Sequence, residues 1–197
     1  HSDLLKKNIN YFVSKLRDDR LAKQGYFPYH NNIIFLAGMA LGGSTWFKNM
    51  LAHIPGYYTR HTPMPWEVAY NQNICDSAFR YTSKNNFTLF KTHLNPTREN
   101  LDCIKRNGVT KILITYRDLR DVALSRTHHL IKFPKPKYAP DFVDYNEMGF
   151  NKSLEHSINL VAEDYIPWIK GWLEFKKKNL EMFHVARFED LKADPKG

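Results

Sequence analysis

Apolar residues along this chain recur in two ways, at helical spacing and in short unbroken runs, and the alternation predicts an architecture. Leu4, Leu5, Ile9, Phe12, Val13 and Leu16 fall on one helical face, predicting an amphipathic helix over residues 3–23. Tyr26 to Asn32 is turn-rich, and Ile33 to Ala37 is the first strand. Gly42 and Gly43 then make a tight turn into a helix from Ser44 to His53, which Pro55-Gly56 ends. Residues 57–87 have no clean period and contain Pro63 and Pro65, so a short helix within Trp66 to Phe79 is expected among loops.

The alternation continues with a strand from Thr88 to His93 and a helix from Pro96 to Arg106, with proline in its first turn and Gly108 closing it. A strand over Lys111 to Tyr116 runs into a helix from Asp118 to about Leu130, capped by Asp118 with Asp121 as its partner three residues on. Residues 132–150, with Pro134, Pro136 and Pro140, form a long loop suited to a lid. From Ser153 the helical period is strongest: Leu154, Ile158, Val161, Tyr165, Trp168/Ile169, Trp172 and Phe175 share a face, with a kink expected at Pro167. Met182 to Ala186 is the last strand, and Phe188 to Leu191 starts a final turn. Strands alternating with helices predict the α/β class, three-layer, with a central parallel sheet flanked by helices.

Length and charge narrow the function classes. At 197 residues the chain is most simply one domain, with residues 1–31 as an N-terminal helix and link and 32–197 as the core. A net charge of +9 favours an anionic partner. The basic residues are dispersed apart from Lys176-Lys177-Lys178, which suit a helix end. Neither a zinc-finger nor a helix-turn-helix signature is present, so no nucleic-acid partner is expected. No apolar run approaches the ~20 residues of a membrane span. Cys75 and Cys103 are too few for a disulfide framework and lack metal spacing, which fits a reduced, cytoplasmic setting and no metal site.

Two strand-to-helix junctions carry the candidate chemistry. In Ile33-Ile-Phe-Leu-Ala-Gly-Met-Ala-Leu-Gly-Gly-Ser-Thr-Trp46, Gly42 and Gly43 let backbone N–H groups turn inward, while Ser44 and Thr45 add hydroxyls at the positive end of a helix. A plain glycine turn with a Ser/Thr cap would look the same. The loop is shorter than G-x-x-x-x-G-K-[ST] and lacks its lysine, which argues against ATP or GTP. In Ile112-Leu-Ile-Thr-Tyr-Arg-Asp-Leu-Arg-Asp-Val-Ala-Leu-Ser125, Arg117 ends a strand and Ser125 stands two turns into the helix, a fork and a hydroxyl for a phosphate. Pairing of Arg117 with Asp121 is the structural alternative. Lys91 and His93, two apart on one strand, face the same crevice, where a histidine can take a proton and a lysine can stabilise an anion. Trp46 can be core or can stack on a base. Anion cradles at both junctions suggest a ligand with phosphate-like groups at both ends.

Ala37-Gly-Met-Ala-Leu-Gly-Gly-Ser-Thr-Trp46, Lys91-Thr-His-Leu94, Tyr116-Arg-Asp-Leu-Arg-Asp-Val-Ala-Leu-Ser125 and Arg187-Phe-Glu-Asp-Leu-Lys-Ala-Asp-Pro195 occur in the order found in PAPS-dependent sulfotransferases. From about Asn32 onward the chain resembles that family, and its Lys-Thr-His-Leu run is closer to the cytosolic branch than to the Golgi carbohydrate branch. The resemblance implies a P-loop-like sulfotransferase fold and transfer of a sulfuryl group from PAPS to an acceptor hydroxyl, releasing PAP, without a metal. It implies Gly42, Gly43, Ser44 and Thr45 around the 5′-phosphosulfate, Trp46 and Phe188 on adenine, and Arg117 and Ser125 on the 3′-phosphate. His93 would be the base for the acceptor hydroxyl, with Lys91 beside the sulfuryl group. The acceptor would be a small molecule, partly apolar if Trp66, Tyr70, Phe79, Tyr81, Phe133 and Tyr138 line its pocket.

Three positions depart from the family pattern. Leu41 stands where the family carries Lys or Arg, a cation that neutralises charge on the leaving phosphate. Lys48 is a possible substitute, but its spacing is expected to point it to solvent. Phe188 keeps the ring of the family's tyrosine and loses the hydroxyl. The sequence ends at Gly197, before the Arg-Lys-Gly segment that completes the 3′-phosphate site, so the C-terminal part of the domain is expected to be absent. Two other functions follow if these departures dominate: a PAP- or PAPS-binding pseudoenzyme, or, less in keeping with the missing Walker lysine, a P-loop kinase.

Overall fold

The computed structural model of the chain describes residues 2–27, 29–60, 72–80, 82, 87–137 and 142–193. Five strands, β1 (Ile33–Gly38), β2 (Tyr57–Arg60), β3 (Phe87–Thr92), β4 (Lys111–Tyr116) and β5 (Phe183–Arg187), form one sheet in the order β2-β3-β1-β4-β5. Every neighbouring pair is parallel. The helices are α1 (Ser2–Lys23), α2 (Ser44–Leu51), α3 (Arg98–Arg106), α4 (Leu119–Lys132), α5 (Tyr145–Met148), α6 (Phe150–Leu160), α7 (Ile166–Lys178) and α8 (Phe188–Ala193).

Strand periodicity divides these helices between two faces. Phe35 and Ala37 of β1, Phe90 of β3, and Ile112 and Ile114 of β4 enter the main core with Leu101 and Ile104 of α3, Val122 of α4, and Trp168 and Trp172 of α7. On the opposite face Leu36 packs with Phe47, Met50 and Leu51 of α2 and Leu191 of α8, while Tyr57, Phe87 and Ile34 pack with Ala22 of α1. Both faces of the sheet are therefore covered, as the unbroken apolar runs require. The chain goes outward from β1 to β2, returns to β3, then crosses β1 to reach β4. That reversal places a crevice at the carboxyl ends of β1, β3 and β4.

The structure corrects several expectations. Strand β2 was not legible in the sequence, because an edge strand of four residues is too short to show a period. Lys15 of α1 covers its edge, donating to the Tyr57 carbonyl at 2.6 Å. Of the helix expected within Trp66 to Phe79, residues 61–71 lie outside the described residues, and the described end is a single 3-10 turn, Asp76–Phe79. Pro96 precedes α3 rather than entering its first turn; Thr97 is the cap and accepts from the Asn100 N–H. At Pro167 the long helix does not simply kink. A π-helical turn, Val161–Tyr165, precedes it and inserts an extra residue, and Pro167, which has no N–H to donate, falls in the first turn of α7. This shifts the phase of α6 against α7, so Ile158, expected on the buried face, is 51% exposed.

Candidate active site

The loop after β1 is built around glycines with distinct tasks. Gly38 ends the strand where an added Cβ would lie 2.1 Å from the Ser44 Cβ, so α2 can start this close to the sheet only over a glycine. Gly42 closes the turn by donating its N–H to the Met39 carbonyl at 3.0 Å. Gly43 has φ +81 and is the N-cap of α2 with no side-chain capping bond. The first N–H groups of α2 are therefore left for an external acceptor, at the positive end of the helix. Ser44 is buried, whereas Thr45 and Trp46 are exposed at the rim.

On the neighbouring strand, the Lys91 Nζ donates to the His93 Nε2 at 3.1 Å, so the two side chains share the crevice as their spacing predicts. The His93 Nδ1 lies 2.7 Å from the Gly38 carbonyl oxygen. A carbonyl only accepts, so Nδ1 carries the proton and the neutral ring presents its lone pair at Nε2. Burial, reinforced by the Lys91 ammonium, holds His93 below the usual imidazole value, against the Gly38 hydrogen bond that favours its charged form. Burial lowers Lys91 as well, followed by the like charge of Lys48.

The segment following His93 is held from three sides. Trp168 and Trp172 each donate an indole N–H to the Leu94 carbonyl, at 2.8 and 3.2 Å. Buried Asn100 donates to the carbonyls of Asn95 and Gln72 and accepts from the Ile74 N–H. Gly171 lets α7 approach, since a Cβ there would lie 2.5 Å from Pro96. These bonds fix where the imidazole stands.

At the end of β4, the Arg117 Nη2 donates to Asp121 at 3.1 Å and the guanidinium carbon lies 5.2 Å from the centre of the Phe188 ring. Its Nε is buried and has no hydrogen-bond partner among the described residues. Phe188 also meets Trp46 edge-on, with centroids 5.7 Å apart, and occupies the space a Gly43 side chain would need. One ring thus joins the glycine loop, Trp46 and Arg117. Ser125 is half-buried, one turn beyond Asp121 on α4. A cleft of about 420 Å³ opens beside Arg117, lined by Tyr116, Asp118, Leu119, Arg120, Ile169 and Arg187.

With this geometry in place, comparison with known proteins is decisive at the family level. Residues 31–197 match the family described as Sulfotransferase domain. The chain belongs to the sulfotransferase domain family. It is 23% identical over 191 residues to flavonol 3-sulfotransferase of Flaveria bidentis, covering 90% of this chain and 57% of that protein. The chain thus spans little more than half the length of that curated relative. In fold it is similar to mouse sulfotransferase SULT7A1, whose crystal structure is complexed with PAP, at TM-score 0.56 and 16% identity over 86% of this chain and 56% of that one. It is also similar to a sulfotransferase from Alicyclobacillus acidocaldarius, at TM-score 0.51 and 16% identity over 85% of this chain and 76% of the other. The P-loop-like fold expected for a sulfotransferase is the fold observed.

Gly42, Gly43, Ser44, Thr45, Trp46, Lys91, His93, Arg117, Ser125 and Phe188 all come to this one edge of the sheet or the helices leaving it. The expected capping pair of Asp118 and Asp121 does not form. Asp118 caps α4, accepting from the Arg120 N–H, but Asp121 turns to Arg117, and Glu189 of α8 accepts from the Asp118 N–H at 2.9 Å instead. Among the aromatic residues expected around an acceptor, Phe79 is core, packed against Phe90, and Phe133 is exposed beside His129. Trp66, Tyr70, Tyr81 and Tyr138 lie outside the described residues. The long-range contacts of Asn100, Gly38 and Glu189 leave no local sequence signal: Asn100 meets Ile74 across 26 residues, the Gly38 carbonyl meets His93 across 55 and Glu189 meets the Asp118 N–H across 71.

No helix among the described residues is long and apolar enough to cross a membrane, and among those residues no group of three or more His, Cys, Asp or Glu could hold a metal.

Proposed function

We propose that this domain transfers a sulfuryl group from PAPS to the hydroxyl of a small-molecule acceptor and releases PAP. The observation that carries the reading is the His93 ring, oriented by the Gly38 carbonyl with its Nε2 lone pair toward the crevice and against the Lys91 ammonium. That is a base and a cation at the end of a central strand, beside an uncapped helix N-terminus. The residues fit a ligand with anions at both ends: the first N–H groups of α2 at one junction, and at the other the Arg117 guanidinium, whose buried Nε has no partner among the described residues.

The chain's own groups divide the work. Gly43, Ser44 and Thr45 receive the phosphosulfate end through backbone N–H groups and hydroxyls, and Gly42 shapes the turn. Arg117 and Ser125 receive the 3′-phosphate, with Phe188 and Trp46 flanking the base. His93 Nε2 takes the acceptor's hydroxyl proton as the hydroxyl oxygen attacks sulfur and the sulfur–oxygen bond to the phosphate breaks. Before an anion arrives, the Lys91 ammonium occupies that same lone pair. A sulfuryl oxygen draws the ammonium away, so donor binding frees the base, and depression of His93 below its usual value keeps it neutral at pH 7.

Thermal shift with PAP against ATP and magnesium tests donor class: a ligand at 100 Kd adds about 2.7 kcal/mol of stability. Stabilisation by ATP-magnesium alone would refute the reading. Single-turnover transfer from PAPS to a phenolic probe tests activity, and His93→Ala is expected to abolish it while PAP binding persists. A chain that binds PAP and transfers nothing is the pseudoenzyme.

A further inference from the structure

We infer that Lys48 is the second cation of the transfer site and supplies the charge that Leu41 does not; the inference rests on the sulfuryl-transfer reading above. Leu36 and Lys91 are register partners on adjacent parallel strands, so their side chains leave the same face of the sheet. Helix α2 covers that face, with Phe47, Met50 and Leu51 against Leu36. Ser44, Phe47, Lys48 and Leu51 have the i, i+3, i+4, i+7 spacing of one helical face, and Ser44 and Phe47 are buried against the sheet. Lys48 therefore belongs to the sheet-facing stripe and is half-buried rather than turned to solvent, which corrects the expectation from spacing.

Lys48 is also near enough to depress Lys91 by like-charge repulsion. Among the described residues, no carboxylate forms an ion pair with either lysine. Two ammonium groups brought to one crevice, with no carboxylate paired to either among the described residues, make a site that an anion relieves. Leu41 supplies no charge there: it has φ +60 and its side chain packs against the main core. The charge has moved from the loop to the second turn of α2.

The test uses the whole chain, PAPS and PAP as probes, and the variants Lys48→Met and Lys48→Arg. Calorimetry is expected to show Lys48→Met weakening PAPS by about 10- to 100-fold, the range for a lost charge-assisted bond. PAP, which keeps the leaving phosphate, should weaken alongside PAPS, and Lys48→Arg should recover most of the affinity for both. In parallel, the Lys91 Cε resonance should titrate at higher pH in Lys48→Met than in wild type and return towards wild type in Lys48→Arg. A merely structural Lys48 would move neither the two affinities nor this titration. If wild type binds PAPS and Lys48→Met binds it equally well, the inference is overturned and sulfuryl transfer stands. Weaker PAPS binding with an unmoved Lys91 titration also overturns it, since Lys48 then acts from elsewhere. If wild type binds neither PAPS nor PAP, the functional reading falls, and the Lys91 titration alone decides whether the two ammonium groups share a site.

Discussion

Gly43→Ala probes how the glycine loop is joined to the residues expected to hold the donor. The native φ of +81 lies in the left-handed region, where an L side chain costs about 1–2 kcal/mol. The new methyl would lie 2.2 Å from Cδ2 and 2.6 Å from Cε2 of Phe188, far inside van der Waals contact, so the ring must move. Overpacking of this kind costs about 1–3 kcal/mol. Together the two effects predict a loss of about 2–5 kcal/mol, or about 4–20 °C in Tm for a domain of this size. Displacing the ring also removes its contacts with Arg117 and Trp46, so PAP affinity should fall with stability. Denaturant melts of Gly43→Ala, Phe188→Ala and the double variant separate the two terms. In the Phe188→Ala background the steric part disappears and the backbone part remains, giving a coupling energy of about 1–3 kcal/mol. A Gly43→Ala chain with unchanged Tm, or additive single and double variants, would refute the loop-to-ring contact.

Arg117→Ala should weaken PAP binding by about 1.5–3 kcal/mol, roughly 10- to 150-fold in Kd by calorimetry. Asp121→Asn should tighten it slightly, by about 0.2–1 kcal/mol, because the carboxylate that competes for the guanidinium is gone. The proposed transfer needs His93 neutral and Lys91 charged. His93 is lowered from 6.5, so the acid limb of kcat/KM is expected below pH 6.5; Lys91 is lowered from 10.5, so the basic limb should fall below pH 10.5. Lys91→Met should raise the His93 titration followed by NMR, since a neighbouring cation is removed, and a fall would contradict the contact. Leu41→Lys should lower Tm by withdrawing a side chain from the core without raising single-turnover transfer; a gain of activity from an inactive parent would instead favour the pseudoenzyme.

The parallel α/β fold was legible because it rests on local signals. Unbroken apolar runs at Ile33–Ala37 and Ile112–Ile114 specify strands covered on both faces, and the Gly42-Gly43 turn and Asp118 cap mark where helices leave them. The same signals placed Lys91, His93 and Arg117 at strand ends, which in a parallel sheet is one shared edge. Sequence left open what each of these side chains touches. Arg117 could pair with Asp121 or hold a phosphate, and the structure shows the first while leaving Nε for the second. Edge strand β2 and the π-helical turn before Pro167 are too short to leave a periodic trace.

Sequence by itself determined the layers, the strand ends and the residue types available there, because these follow from patterns within some ten residues. Tertiary structure alone decided the hydrogen bond that sets the His93 tautomer, the ring of Phe188 between Gly43 and Arg117, and the half-buried place of Lys48 on α2. Each depends on segments brought together from distant parts of the chain: Gly38 is 55 residues from His93. Local propensity carries no information about such pairs; packing of α2, β3 and α8 around β1 creates them.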